Sequence, residues 1–218
     1  MIITIDGPAG AGKSTVSRGL ARRLDFGFLD TGAMYRAVAW ACLQRQINLD
    51  DSEKATAVAA SLSLEVTEHG IHCNRQNVTE AIRSAEVSHG ASIVAAIPGV
   101  RTEMVRLQRE SADGRNIVTE GRDQGSVVFP DAECKFFVTA SPRTRAERRK
   151  QELEERGQSC DLEDVLAQII ERDERDRTRS IAPLIEPEDA IAIDSSGITA
   201  TEVIDRLEAI ARERLLPS

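Results

Sequence analysis

Apolar positions along this chain fall into short continuous runs that alternate with longer stretches of helical spacing. Ile2 to Asp6 reads as a strand, Ser14 to Leu24 as a helix, Phe26 to Asp30 as a second short strand and Met34 to Leu43 as a second helix. That alternation predicts a mostly parallel sheet flanked by helices. Between Leu62 and Thr79 the texture changes to LSLEV, GIHCN and QNVT with polar turns between them, which predicts a small antiparallel sheet. Helical segments are expected at Ile82 to His89, Ala91 to Ala96 and Val100 to Arg109, the last after a break at Pro98-Gly99. The strand pattern resumes at Asn116 to Thr119 and at Lys135 to Thr139. Ser141 and Pro142 suit the N-cap and first turn of a helix that runs to Arg156 and stops at Gly157. Asp161 caps a further helix with Leu162, Val165, Leu166, Ile169 and Ile170 on one stripe. A last strand, Ala190 to Asp194, precedes a helix opened by the capping box Thr199 and Glu202.

With 218 residues the chain can bury one α/β core carrying an insert, and a single unit is expected. A net charge of −8 disfavours nucleic acid or an anionic membrane as partner. A small phosphorylated substrate remains compatible, and 24 Arg against 4 Lys suits bidentate phosphate recognition. Cys42, Cys73, Cys134 and Cys160 are too scattered for a metal or redox motif and read as thiols. His69, His72 and Cys73 read as part of a strand and not as a zinc site. The N-terminus enters a strand without a basic leader, and no apolar run approaches 18 residues, so a cytoplasmic location is expected; the separate expectation for assembly is a monomer.

Between the first strand and first helix stands GPAGAGKS, the GxxxxGK[ST] pattern of a phosphate loop. Glycines admit positive φ and bring successive N–H groups to an anion, and the helix adds its positive end. Gly7, Pro8, Ala9, Gly10, Ala11, Gly12, Lys13, Ser14 and Thr15 therefore form the expected ATP or GTP phosphate site, with Lys13 on the β and γ phosphates and Ser14 on Mg2+. A dinucleotide fingerprint using Gly10, Gly12 and Asp30 fails because Thr15 stands at the third glycine. The chain lacks the NKxD motif that a GTPase switch should show, and its lone DxxG, Asp194 to Gly197, lies near the C-terminus.

Three further pieces could build a second anion site. DTGAMYR at 30–36 puts a hydroxyl and an Arg at a strand-to-helix turn, where ligands gather in open α/β sheets. EGRDQG at 120–125 follows a strand, and by itself could be only a salt-bridged turn. In RDERDRTR at 172–179, Arg172, Arg175, Asp176 and Arg179 share one helix face, although most such runs are solvated.

Together GPAGAGKST, DTGAMYR, EGRDQGSVVFPDA, the RDERDR run and the following APL resemble the bacterial-type cytidylate kinases, in order and spacing along nearly the whole chain. The resemblance implies a P-loop kinase fold with its core at 1–59, 100–142 and 178–218, a monophosphate-binding insert at about 60–99 and a helical lid at about 143–177. It implies transfer from ATP to CMP or dCMP with Mg2+. Carried over by position, it assigns Ser92, Arg101 and Asp123 to cytosine, Thr31, Arg172 and Asp176 to the region from phosphate to sugar, and Arg36, Arg122 and Arg179 to the CMP phosphate. Arg145, Arg148 and Arg149 fall in the lid, with Arg148 and Arg149 expected on ATP. The chain departs from the family at Glu120, where Asp is frequent, at Gln124, where an apolar residue is frequent, and at Ser126, where Thr is frequent. Other small-molecule kinases, acting on UMP or a polyol, and a nucleotide switch or ATPase module are the competing readings.

Overall fold

Strand β1 (Ile2–Asp6) leads through the glycine loop into α1 (Lys13–Leu24), then β2 (Gly27–Asp30), α2 (Thr31–Gln44) and α3 (Ser52–Ser61) in this computed structural model, which describes residues 1–67, 70–155 and 157–215. Next come β3 (Leu64–Thr67), β4 (Gly70–Cys73), β5 (Gln76–Asn77), a 3₁₀ turn at Ala81–Arg83 and α4 (Ala85–Val94), within the stretch expected as an insert. There follow α5 (Pro98–Ala112), β6 (Ile117–Gly121), a single π turn at Gln124–Val128, β7 (Cys134–Thr139), α6 (Pro142–Glu155), α7 (Leu162–Thr178), β8 (Ile191–Asp194) and α8 (Ala200–Leu215).

The main sheet has the order β2-β6-β1-β7-β8, all parallel, with Asp6 beside Gly121 on one side and Phe137 on the other. Loops leaving β1 and β6 therefore emerge side by side at the C-terminal edge, on either side of the point where the chain reverses its winding direction. Ile3, Ile5 and Phe136 pack with Leu20 of α1 and Leu207 of α8, all fully buried, at about 1.5–3 kcal/mol each. A second apolar cluster joins α2, α4 and α5 to β4 of the small antiparallel sheet β3-β4-β5. The third is confined to α6 and α7, around Ala146, Val165 and Ile169.

Several elements differ from expectation for identifiable reasons. Helix α2 starts at Thr31, because the Asp30 side chain accepts from Ala33 N at 2.7 Å. Asp51 caps the unanticipated α3 by accepting from Lys54 N at 3.0 Å. The two segments expected around Gly90 are a 3₁₀ turn and one helix that runs through the glycine. A Cβ on Gly90 would lie 2.7 Å from Leu49 Cδ1, so this glycine serves close packing and not helix breaking. Pro98 begins α5 instead of interrupting it. On α7, Val165 and Ile169 are buried as expected, but Ile170 is exposed.

The Ser141 cap on α6 forms, as does the capping box, in which Thr199 N donates to Glu202 Oε2 at 2.7 Å and Glu202 N to Thr199 Oγ1 at 3.2 Å. Arg156 and His69 lie outside the described residues. His72 and Cys73 are successive residues of β4 and point to opposite faces, with Cys73 in the core. All four cysteines are free thiols. Among the described residues no helix is long and apolar enough to cross a membrane.

Candidate active site

The glycine loop takes its shape from three positive φ values, at Gly7 (145°), Gly10 (77°) and Gly12 (82°). A Cβ on Gly7 would fall 2.0 Å from the Val138 carbonyl oxygen, so the loop can lie against β7 only with glycine there. Lys13 is buried and donates to the Pro8 carbonyl at 2.7 Å, which folds it back over its own loop. Burial, followed by the nearby Arg122 guanidinium, lowers its pKa from 10.5 to about 7. Ser14 and Thr15 are exposed at the start of α1.

Asp6 ties this loop to its neighbour. Its carboxylate, fully buried at the end of β1, accepts from Gln124 N at 2.9 Å and Gly125 N at 2.7 Å. Burial nevertheless raises its pKa to about 6. Glu120, at the end of β6, lies near Lys13, Ser14 and Asp30; burial raises its pKa, and its Oε1 is buried without a protein partner. Gln124 joins a buried hydrogen-bonded chain: Thr119 Oγ1 donates to its Oε1 at 3.0 Å and its Nε2 donates to Gln108 Oε1 at 3.2 Å. Ser126 Oγ is buried without a partner.

Across a cleft of ≈ 850 Å³, the phosphate loop faces side chains carried by α2, α4, α5, the β6 loop and α7. Thr31 Oγ1 donates to the Glu120 carbonyl at 2.5 Å, so this hydroxyl joins α2 to β6. Arg122 Nε donates to Asp176 Oδ2 at 2.8 Å. Arg122 is thus the hydrogen-bonded partner of Asp176, although Arg172 stands one helical turn before it. Burial pushes the Asp176 carboxyl up, but Arg122 and Arg172 together hold it below the ordinary carboxylate value. Arg172 is lowered to about 10, by burial first and then by Arg122, with Arg36 and Arg149 adding to the effect. Arg36 makes one long bond to Asp30, at 3.5 Å. Arg36 Nε, Arg172 Nε and Arg179 Nη2 are all buried without a hydrogen-bond partner.

Deeper in the cleft, Arg101 and Asp123 form a buried ion pair, and Arg101 also donates to the Ala95 carbonyl at 3.4 Å and stacks over Tyr35. Burial pushes the Tyr35 hydroxyl up to about 12. Arg179 Nη2 lies 3.9 Å from Asp123 Oδ1, and Arg179 Nε donates to the Ala182 carbonyl at 2.6 Å. Ser92 stands on α4 one turn before Ala95 and receives a 2.8 Å hydrogen bond from Arg175 Nη1.

The three arginines expected in the lid have separate environments. Arg145 is 2 % exposed and makes a bidentate pair with Asp173 of α7 at 3.0 and 2.6 Å. It also donates to the Ala9 carbonyl of the phosphate loop at 3.0 Å and to Ala140 O at 2.9 Å. It is therefore a structural clamp, with its donors spent on protein. Arg148 donates to Ser195 O at 2.6 Å and Oγ at 3.1 Å. Arg149 pairs with Glu152 at 3.0 Å and lines the cleft.

A family model described as cytidylate kinase matches residues 3–213. The chain belongs to the cytidylate kinase family. A cytidylate kinase from Rhodopirellula baltica is 45% identical, over 98% of this chain and 93% of its own length. A bifunctional pantoate ligase/cytidylate kinase from Synechococcus sp. (strain JA-2-3B'a(2-13)) is 48% identical over 98% of this chain, which spans only 41% of that relative's length. Among solved structures, a gluconokinase from Sinorhizobium meliloti 1021 superposes with a TM-score of 0.51 at 16% identity, covering 97% of this chain and 92% of its own, a likeness of fold alone.

The residues expected to bind nucleotide line one cleft, apart from Gly7 and Pro8, which shape the loop from behind, while Arg145, Gln124 and Ser126 lie outside its lining. Sequence reasoning missed the structural roles of Asp6, Gln124, Arg145 and Asp173, and the hydrogen bond from Arg175 to Ser92. Asp6 and Gln124 sit within or beside the motifs, so proximity was a signal for them. For Arg145 and Asp173, 28 residues apart in a charged stretch, no local signal exists.

Proposed function

We propose that this chain transfers the γ-phosphoryl group of ATP to CMP, and to dCMP, yielding ADP and the corresponding diphosphate by direct in-line displacement. The observation that carries this reading is the set of buried guanidinium nitrogens of Arg36, Arg172 and Arg179 that have no hydrogen-bond acceptor, in the same cleft as the phosphate loop. Buried donors without acceptors are costly, and mutually repelling arginines more so, unless an anion completes the site. A phosphate loop alone accounts for one anion, whereas these nitrogens call for a second.

In this reading Arg36, Arg122 and Arg179 clamp the acceptor phosphate and align it with the donor. Its attacking oxygen is already ionised, so no general base is required, and the chain contributes positioning and positive charge. Lys13 swings from the Pro8 carbonyl to the triphosphate and regains its proton there. Mg2+ suits the oxygens available: the Ser14 hydroxyl would hold it, beside the unpartnered Glu120 carboxylate oxygen. Bound there, the ion would neutralise phosphate charge.

The base is read by Ser92, Arg101 and Asp123. Arg101 spends two of its five donors on Asp123 and Ala95, leaving others for the cytosine O2 and N3 acceptors, while the Asp123 carboxylate and Ser92 accept from N4. Thr31, Arg172 and Asp176 line the path from sugar to phosphate. Helices α6 and α7 act as the lid, with Arg148 and Arg149 closing on ATP. The four free thiols fit a reducing, cytoplasmic setting. A coupled assay with ATP and CMP, dCMP, UMP, AMP or shikimate tests the proposal. CMP should be turned over best; a preference for UMP, or ATP hydrolysis independent of any acceptor, would refute it.

A further inference from the structure

We infer that Arg175 is a specificity-determining positioning residue: it fixes the Ser92 hydroxyl as a pure hydrogen-bond acceptor toward the base, and so favours an amino-bearing pyrimidine over an oxo-bearing one. The inference rests on the proposed reading of Ser92 as a base contact. Its basis is donor and acceptor arithmetic at one oxygen. A serine hydroxyl has one proton and two acceptor positions. Ser92 Oγ lies 2.8 Å from the His89 carbonyl, which can only accept, so the proton points there. Arg175 Nη1 lies 2.8 Å from the same oxygen and can only donate, so it occupies one acceptor position. One acceptor position remains for a ligand in the cleft that Ser92 and Arg175 both line.

The cytosine N4 amine can donate into that position. Uracil O4 would meet lone pair against lone pair unless the hydroxyl turned its proton to O4, which would break its bond to the His89 carbonyl, and the Arg175 bond holds Oγ in the rotamer that makes that bond. Arg175 is itself held by Glu171, which accepts from its other terminal nitrogen at 2.6 Å. The motif spacing grouped Arg175 with the phosphate-facing arginines, but the contact runs instead to α4. Ser92, Ala95, Arg101 and Asp123 all line that cleft.

The test is kcat/KM for CMP and UMP in the wild type, Arg175→Ala, Arg175→Lys, Ser92→Ala and the Ser92→Ala/Arg175→Ala double variant. Losing one net hydrogen bond corresponds to about a fivefold fall in the CMP to UMP ratio. Arg175→Ala should show that fall, carried by KM for CMP with kcat unchanged, and Arg175→Lys should recover most of it. In the Ser92→Ala background, Arg175→Ala should leave the ratio where it is. An equal loss for both nucleotides in Arg175→Ala would mean that Arg175 only braces α7 against α4, and would overturn the inference while leaving CMP as substrate. A wild type with no CMP preference would overturn both this inference and the function it rests on.

Discussion

The two sides of the cleft are built by different means. On the donor side, Ala9 to Ser14 of one eight-residue loop line the cleft, and three positive-φ glycines fix the course of that loop. On the proposed acceptor side, no two neighbouring residues suffice: guanidinium, carboxylate and hydroxyl groups arrive from α2, α4, α5, the β6 loop and α7. A backbone cradle is a local property, insensitive to packing at a distance. A side-chain constellation is only as accurate as the packing of the five elements that carry it. Two buried carboxylates join the sides: Asp6 binds the loop after β1 to the loop after β6, and Asp173, through Arg145, binds α7 to the Ala9 carbonyl.

The sharpest way to break the comparison is Lys13→Ala, which removes the side chain proposed to move from the Pro8 carbonyl to the triphosphate. Turnover should fall by a factor on the order of a thousand with the circular dichroism spectrum unchanged, and a loss below tenfold would contradict its central place. Next in size, Arg145→Ala should destabilise the fold by about 3–5 kcal/mol, because it strands the buried Asp173 carboxylate. Urea denaturation measures this, and a shift below about 1 kcal/mol would show that the two sides are not coupled through the pair.

Asp123→Asn probes the acceptor side alone. It replaces an acceptor-only group by one that can donate to uracil O4, so the CMP to UMP ratio of kcat/KM should drop about tenfold. An unchanged ratio would remove Asp123 from base reading.

The smallest effect concerns Lys13 protonation. With a folded pKa of about 7 against 10.5 in the open chain, the unliganded protein binds fewer protons than the unfolded chain between those values. This group therefore adds stability as pH rises from 7 to 10.5. ATP should restore the proton, so binding at pH 8 should take up just under one proton, measured by calorimetry in buffers of different ionisation heat. Lys13→Met should abolish the uptake.

Legibility in the sequence followed the range of the interactions. The phosphate loop, the Ser141 cap and the Thr199–Glu202 capping box span three to eight residues, and each formed where its local pattern placed it. Helix α3 was also legible in principle from Asp51 ahead of Ser52 to Lys54, but its weak amphipathic pattern hid it. Gly90 misled because a glycine that admits a neighbour and one that ends a helix look alike until Leu49 is placed beside it. Arg145 resembled its neighbours Arg148 and Arg149, yet it is 2 % exposed and they are not buried.

The sequence by itself determined the phosphate loop, the parallel order of alternating strands and helices, and the residues from which a second anion site could be made, since each depends on residue type and short spacing. Only the tertiary structure decided which arginines keep free donors and which are spent. Arg36, Arg172 and Arg179 retain nitrogens without a hydrogen-bond acceptor, whereas Arg145 gives its own to Asp173, Ala9 and Ala140. A guanidinium group is the same in every position of the sequence, and its chemistry is set by what the fold brings within hydrogen-bond reach.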